Sequence, residues 1–219
     1  MESGELFASE PSAVVLAPGA RLLSAFALPA EAALLEAVSR VADAAPFRCM
    51  LTPGGRRMSA AMSNCGEWGW VTDRRGYRYT REDPESGLAW PPMPEAIARL
   101  AASAAARAGF PGFVPDAGLV NRYEPGARLT LHQDKDERDF TAPIVSVSLG
   151  LPAVFLFGGE RRSDPTRRVR LVHGDVVVWG GPSRLRFHGV LPLADGVHPL
   201  LGRSRVNLTL RRAAWRRTD

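Results

Sequence analysis

Cysteine is nearly absent from this chain: Cys49 and Cys65 are the only two in 219 residues, and they are too far apart to form a Cys-x-x-Cys pair. That excludes a disulfide framework and a cysteine-built zinc site, and it suits a reducing compartment. Lysine is scarcer still, with Lys135 alone among 28 basic residues. The positive charge is therefore carried by arginine, whose guanidinium stays protonated and makes planar, two-pronged contacts with carboxylate and phosphate. No apolar run is long enough to cross a bilayer, and the opening Met1–Glu5 is acidic with no apolar leader after it. The chain is expected to be cytoplasmic and to have no membrane contact. Internal repeats are missing too, and only the alanine-rich stretch at 101–108 is compositionally biased. What is present is a globular composition, 45% hydrophobic, with a net charge of +5 and a pI near 10.0. At 23.7 kDa one substantial core is expected, and the basic surplus favours a polyanionic partner.

Periodicity divides the chain into helical, loop-rich and strand-rich parts. Residues 1–12 carry no pattern and are expected to be flexible. Val14–Leu16 reads as a short strand closed by Pro18-Gly19. Leu34, Leu35, Val38 and Val41 share one face of a helix predicted from Pro29 to about Ala44. A second helix opens at Pro94, carries Ile97 and Leu100 and stops at Gly109. Residues 46–93 between them hold Trp68, Trp70 and Trp90 among arginines and turn formers, a blend that reads as hairpins and loops. From about 117 the pattern becomes strand-like, at 118–123, 129–131, 144–149, 153–157, 168–172, 176–179, 184–190 and 205–211. Short strands at near-regular spacing predict a sandwich or barrel, not βαβ units.

On strands, His132 and Asp134 leave the same face, because side chains alternate with a period of two. His188 follows at a distance, and Arg205 and Arg211 lie on the last strand. Two imidazoles and one carboxylate on one side of a metal are the facial ligand set of non-heme Fe(II) oxygenases, with positions left open for a keto acid and oxygen. The two arginines suit the two carboxylates of 2-oxoglutarate. His-x-Asp alone is weak, since 133–139 is also a plain charged run; the order of the whole set raises its meaning. His173-Gly174-Asp175 has no nucleophile elbow to serve and reads as a turn, and His198 reads as an ordinary loop histidine.

These residues carry a resemblance over nearly the whole chain. Thr52-Pro53-Gly54-Gly55, Met58-Ser59, Asn64-Cys65-Gly66, Asn121-Arg122-Tyr123, Leu131-His132-Gln133-Asp134, His173-Gly174-Asp175, His188-Gly189 and Asn207-Leu208-Thr209 occur in the order found in the bacterial AlkB family. That family comprises iron- and 2-oxoglutarate-dependent dioxygenases that repair alkylated bases. The resemblance implies an α+β, mainly β fold: a double-stranded β-helix (jelly-roll) core with N-terminal helices and a nucleotide-recognition lid. The division expected is a flexible N-terminus at 1–12, helices and lid at 13–116, and the dioxygenase core at 117–219, in one structural unit. It implies His132, Asp134 and His188 as Fe(II) ligands and Asn121, Tyr123, Arg205, Asn207 and Arg211 as the 2-oxoglutarate pocket. Arg205 is assigned to the distal carboxylate and Arg211 to the chelating one. Trp70, Tyr77, Arg78, Tyr79, Asp136, Arg162 and Met58 match residues around the damaged base and its strand, with Leu119 and Ser146 nearby.

The activity implied is oxidative demethylation of bases of the 1-methyladenine and 3-methylcytosine type, with O2 as second cosubstrate and formaldehyde released. Single-stranded DNA is the expected partner, with RNA and double-stranded DNA as further ones, and the enzyme is expected to act as a monomer. The chain departs from the family pattern at Arg56, Phe187 and Val206, which bears on strand grip and on access beside the cofactor. A 2-oxoglutarate oxygenase acting on protein or a small molecule, and a non-catalytic nucleic-acid-binding relative, are the alternatives. The Arg- and Trp-bearing lid argues against the first, and the complete triad with both arginines against the second.

Overall fold

The last strand shows why the fold places its site where it does. Over Arg205–Arg211 apolar and polar residues alternate, yet every position is buried. A strand can satisfy both halves only between two layers, one apolar and one polar. In the computed structural model, which describes residues 13–214, Val206, Leu208 and Leu210 face a layer of two helices. Arg205, Asn207, Thr209 and Arg211 face a second sheet.

The described strands are β1 (Ala13–Ala17), β2 (Ala20–Leu23), β3 (Ala61–Gly66), β4 (Gly69–Asp73), β5 (Gly76–Thr80), β6 (Ala117–Tyr123), β7 (Leu129–His132), β8 (Ile144–Gly150), β9 (Ala153–Phe157), β10 (Arg167–Leu171), β11 (Val176–Trp179), β12 (His188–Val190) and β13 (Arg205–Arg211). The α-helices are α1 (Glu31–Ala44) and α2 (Glu95–Arg107). Seven strands form the larger sheet in the order β1-β2-β11-β8-β13-β6-β3, and four form the smaller one in the order β10-β9-β12-β7. All pairings are antiparallel. β4 and β5 stand apart as a two-stranded hairpin. This is the expected jelly roll with helices on one side. Residues 1–12 lie outside the described residues.

One core cluster lies between the larger sheet and the helices, where Leu34, Val38, Ile97 and Leu100 meet Val145, Val147 and Leu208. The other fills the space between the sheets, with Phe155, Phe157, Leu171 and Trp179. Burying such side chains stabilises the fold by roughly 1.5–3 kcal/mol each. Truncating the buried Leu208 to alanine would cost about 2–5 kcal/mol.

One expectation needs correction. Residues 184–187 do not continue into the strand at 188: a short 3-10 turn covers Gly181–Ser183, and β12 begins only at His188. The cause is Arg184, which folds inward and donates to the Ala142 and Asp134 carbonyl oxygens and to Glu137 Oε2. The segment before 117 supplies β1, β2 and β3, both flanks of the larger sheet.

Candidate active site

His132 ends β7 and His188 begins β12, and the two are cross-strand partners in the smaller sheet with ring centroids 4.4 Å apart. Close strand approach makes this possible. A Cβ on Gly189 would stand 2.7 Å from the Leu129 carbonyl oxygen, so glycine must follow His188. Asp134 lies two residues beyond His132 and turns into the same space. One ligand atom from each of the three residues lies within 4.8 Å of the others, a grouping that could hold a metal ion.

The protonation states suit that role. His132 Nδ1 sits 2.9 Å from the Thr130 carbonyl oxygen, and His188 Nδ1 sits 3.0 Å from that of Arg186. A carbonyl only accepts, so each Nδ1 carries the hydrogen and each Nε2 presents its lone pair inward. Burial pushes the His188 imidazole down to about 4, which keeps it neutral. Burial alone would raise the Asp134 carboxyl, but the charge of the Arg211 guanidinium beside it holds it well below the usual carboxylate range. Arg211 donates to Asp134 Oδ2 through Nε at 2.8 Å and Nη2 at 2.6 Å.

Beside the triad lies a cavity of about 400 Å³ between the sheets. The inward row of β13 lines it with Arg205, Asn207, Thr209 and Arg211, joined by Asn121 and Tyr123 of β6 and Ser146 of β8. Arg205 is 1% exposed, yet only its Nη2 has a partner, the Ser148 hydroxyl at 3.0 Å. Its Nε and Nη1 and the Asn121 Oδ1 have no partner. A buried cation with two idle donors is costly unless an anion meets it. Burial lowers the Arg205 pKa to about 10, which still leaves it charged at neutrality. The pocket therefore fits an anionic, oxygen-rich molecule reaching from the triad to Arg205, as a dicarboxylic keto acid does.

The β4–β5 hairpin roofs the mouth. Asn64 of β3 holds the Trp70 backbone at both ends, accepting from its N–H and donating to its carbonyl, each at 3.0 Å. The indole stacks on Tyr77 with centroids 5.6 Å apart and planes 17° from parallel, and its Nε1 donates to Asp136 Oδ2 at 2.9 Å. Met58, Leu119 and Arg162 also line the cavity. Arg162 rests over the Phe187 ring at 5.8 Å.

Two residues expected to contact substrate do not line the cavity. Arg78 is held by both oxygens of Asp73 at 2.9 and 2.7 Å. Tyr79 turns inward, and its hydroxyl donates to Glu137 Oε1 at 2.6 Å. Glu137 pairs with Arg184 at 3.1 Å and with Arg211 at 3.4 Å, so the roof hairpin is tied to the group that holds Asp134. Sequence reasoning missed Glu137 and Arg184 because both sit in stretches that read as solvated charge or strand. Thr209, which donates to Asn207 Oδ1, could have been found by its two-residue spacing from Asn207 and Arg211. Of the departures, Val206 packs on the helix side, away from the cavity, and Arg56 is exposed.

A metal-binding His-Asp-His group on a jelly roll, beside a buried arginine that awaits a carboxylate, defines a 2-oxoglutarate-dependent iron oxygenase. The model of the 2OG-Fe(II) oxygenase superfamily matches residues 19–211. The alpha-ketoglutarate-dependent dioxygenase AlkB of Salmonella typhimurium is 57% identical over 211 residues, covering 96% of this chain and 98% of that protein. The tRNA demethylase abh1 of Schizosaccharomyces pombe is 34% identical over 122 residues, 55% of this chain and 40% of that protein. The solved structure of OsALKBH1 superposes with a TM-score of 0.80 at 29% identity, covering 92% of this chain and all of that one. The chain belongs to the AlkB family of the 2OG-Fe(II) oxygenases. Its cofactor is Fe(II), and its cosubstrates are 2-oxoglutarate and O2.

Proposed function

We propose that this enzyme removes methyl groups from the ring nitrogens of bases in nucleic acid, with lesions of the 1-methyladenine and 3-methylcytosine type in single-stranded DNA as its main substrates and RNA and duplex DNA as further ones. The observation that carries this reading is the Trp70–Tyr77 stack with Asp136 on the indole nitrogen, set at the mouth of the triad cavity. Such a roof offers a ring face to a base that has left its stack and a carboxylate to a cationic one. Aromatic stacking is worth roughly 1–3 kcal/mol per base, enough to offset much of the few kcal/mol that extrusion costs. The similarity to a tRNA demethylase supports the nucleic-acid class.

His132, Asp134 and His188 would hold the iron, which with 2-oxoglutarate and O2 would supply the oxidant, succinate and carbon dioxide being the coproducts. Arg211 orients Asp134 and meets the carboxylate nearest the metal. Arg205 meets the distal carboxylate, with Tyr123 and Asn207 beside it and Asn121 completing the pocket. Trp70 positions the base, with Asp136 directing its indole, and Arg162 faces the strand's phosphates. The hydroxymethyl product collapses without a protein nucleophile, releasing formaldehyde and the unmodified base. That one chain carries the triad and both arginines supports action as a monomer. Its place is the cytoplasm, where reduced iron and its substrate are both at hand.

The test is to load the enzyme with Fe(II) and 2-oxoglutarate without air, admit oxygen, and measure formaldehyde and succinate with methylated DNA and RNA strands. Formaldehyde matching succinate with methylated strands, and none with unmodified ones, is the expected result. Succinate formation with no formaldehyde from any methylated strand would overturn the reading.

A further inference from the structure

Several arginines on this surface are paired. Arg40, Arg48, Arg78, Arg81, Arg99, Arg203 and Arg212 each meet a carboxylate. The β9–β10 hairpin concentrates arginines that are not. Between 161 and 170 it carries Arg161, Arg162, Arg167, Arg168 and Arg170, with Asp164 as the only acid among them and Glu160 just before. Asp164 is engaged within its own turn, where Oδ2 accepts the Arg161 backbone N–H at 3.0 Å. Among the described residues none of these five arginines forms an ion pair. Arg167 donates to the Val15 carbonyl oxygen at 3.3 Å, and Arg162 rests on Phe187.

Strand register says where the charge points. Val169 and Leu171 are buried between the sheets, so Arg168 and Arg170, both exposed, face solvent on the outer side of the smaller sheet. They lie opposite Leu156 and Val154, on the sheet's edge strand. Arg167 is level with Phe157, which pairs in turn with His188. The row therefore begins at the height of the iron ligands, next to the loop that puts Arg162 on the cavity, and runs down β10. Two residues along a strand span roughly 6.8 Å, a step at which neighbouring guanidiniums can take separate phosphates of one chain.

We propose that Arg168 and Arg170 form a phosphate-binding track for the lesion-bearing strand, continuing from Arg162 away from the roof hairpin. The inference rests on the nucleic-acid reading above and extends it to the nucleotides flanking the damaged base. Guanidiniums are built for phosphate oxygens, and here they are left without protein partners. The competing reading is that charge on an edge strand only blocks edge-to-edge association. That role needs no phosphate contact and leaves the salt dependence of binding untouched.

The double variant Arg168→Gln/Arg170→Gln decides between them. Binding of a methylated single strand of roughly 15 nucleotides is followed by fluorescence anisotropy across a salt series, and turnover is measured on a methylated trinucleotide too short to reach the track. The expected result is a slope of log K against log salt shallower by roughly 1.4, about 0.7 for each lost contact, with trinucleotide turnover at the wild-type rate. Arg40→Gln/Arg99→Gln, which removes the same charge from paired helix positions, should leave the slope where it was. An unchanged slope in the β10 variant overturns the track and assigns these arginines to edge protection. An equal change in the helix variant also overturns it, since the effect would then follow net charge. Absence of wild-type turnover on the methylated strand of roughly 15 nucleotides would sink the demethylase reading itself, and the track with it.

Discussion

Arg211→Met isolates the electrostatic hinge of the site. Methionine keeps most of the side-chain volume but removes the guanidinium that meets Asp134 Oδ2 through two donors, at 2.8 and 2.6 Å. Glu137 keeps Arg184 at 3.1 Å and the Tyr79 hydroxyl, so the loss falls mainly on Asp134, which is 8% exposed. Stranding one member of a buried ion pair costs about 3–5 kcal/mol. For a domain of this size each kcal/mol lowers Tm by roughly 2–4 °C, so calorimetry of the metal-free protein should show a fall of about 6–20 °C. Adding Mn(II) places a cation back on the carboxylate and should narrow the gap more than it shifts the wild type. Two observations would refute the reasoning: a Tm within about 2 °C of wild type, or a gap that Mn(II) leaves unchanged. Either would mean that Arg211 is not what stabilises the buried carboxylate.

Three further outcomes are expected. His132→Ala, Asp134→Ala and His188→Ala should each abolish turnover while circular dichroism stays native, and Asp134→Glu should be poor because one extra methylene exceeds a positional tolerance of about 0.5 Å; normal turnover in any alanine variant would remove that residue from the metal site. Arg205→Lys keeps a charge but cannot fill the two idle donor positions, so the 2-oxoglutarate KM should rise at least about tenfold, the equivalent of one lost hydrogen bond to a charged group, with binding of methylated strands unaltered; a loss of strand binding instead would move Arg205 out of the cosubstrate pocket. Burial pushes the Cys65 thiol up to about 12, so iodoacetamide at about pH 8 should modify the native protein only at Cys49 and both cysteines after unfolding; native labelling at Cys65 would show that β3 opens readily.

The strands of the core were legible because alternation survives in β8 and β13 even where both faces are buried. Val145, Val147 and Leu149 point one way and Ser146 and Ser148 the other, a pattern that only a two-sided polar and apolar setting keeps. The metal ligands were legible for a related reason: a two-residue spacing puts His132 and Asp134 on one side before any tertiary contact is known. Strand pairing was not legible. Nothing local to Ala13–Leu23 says that β2 will close against β11, because that partnership is set by contacts more than 150 residues away. Residues 184–187 misled because Leu185 and Phe187 alternate as a strand would, while Arg184 gains more from three buried acceptors than from solvent. The charged run 133–139 concealed an inside and an outside. Asp134, Glu137 and Asp139 are buried with cationic partners, while Lys135, Asp136 and Arg138 are exposed.

Both metal-facing imidazoles are aimed by main-chain carbonyls two residues upstream, Thr130 for His132 and Arg186 for His188. A carbonyl oxygen belongs to the position and not to the side chain, so a point mutation cannot delete it while the backbone keeps its path. The orientation of the ligands is thereby insulated from drift at the residues that aim them. Side chains at positions 130, 186 and 187 can therefore change without removing the acceptors that aim the metal ligands. Innovation at the mouth and constancy at the centre are separated by a single peptide unit.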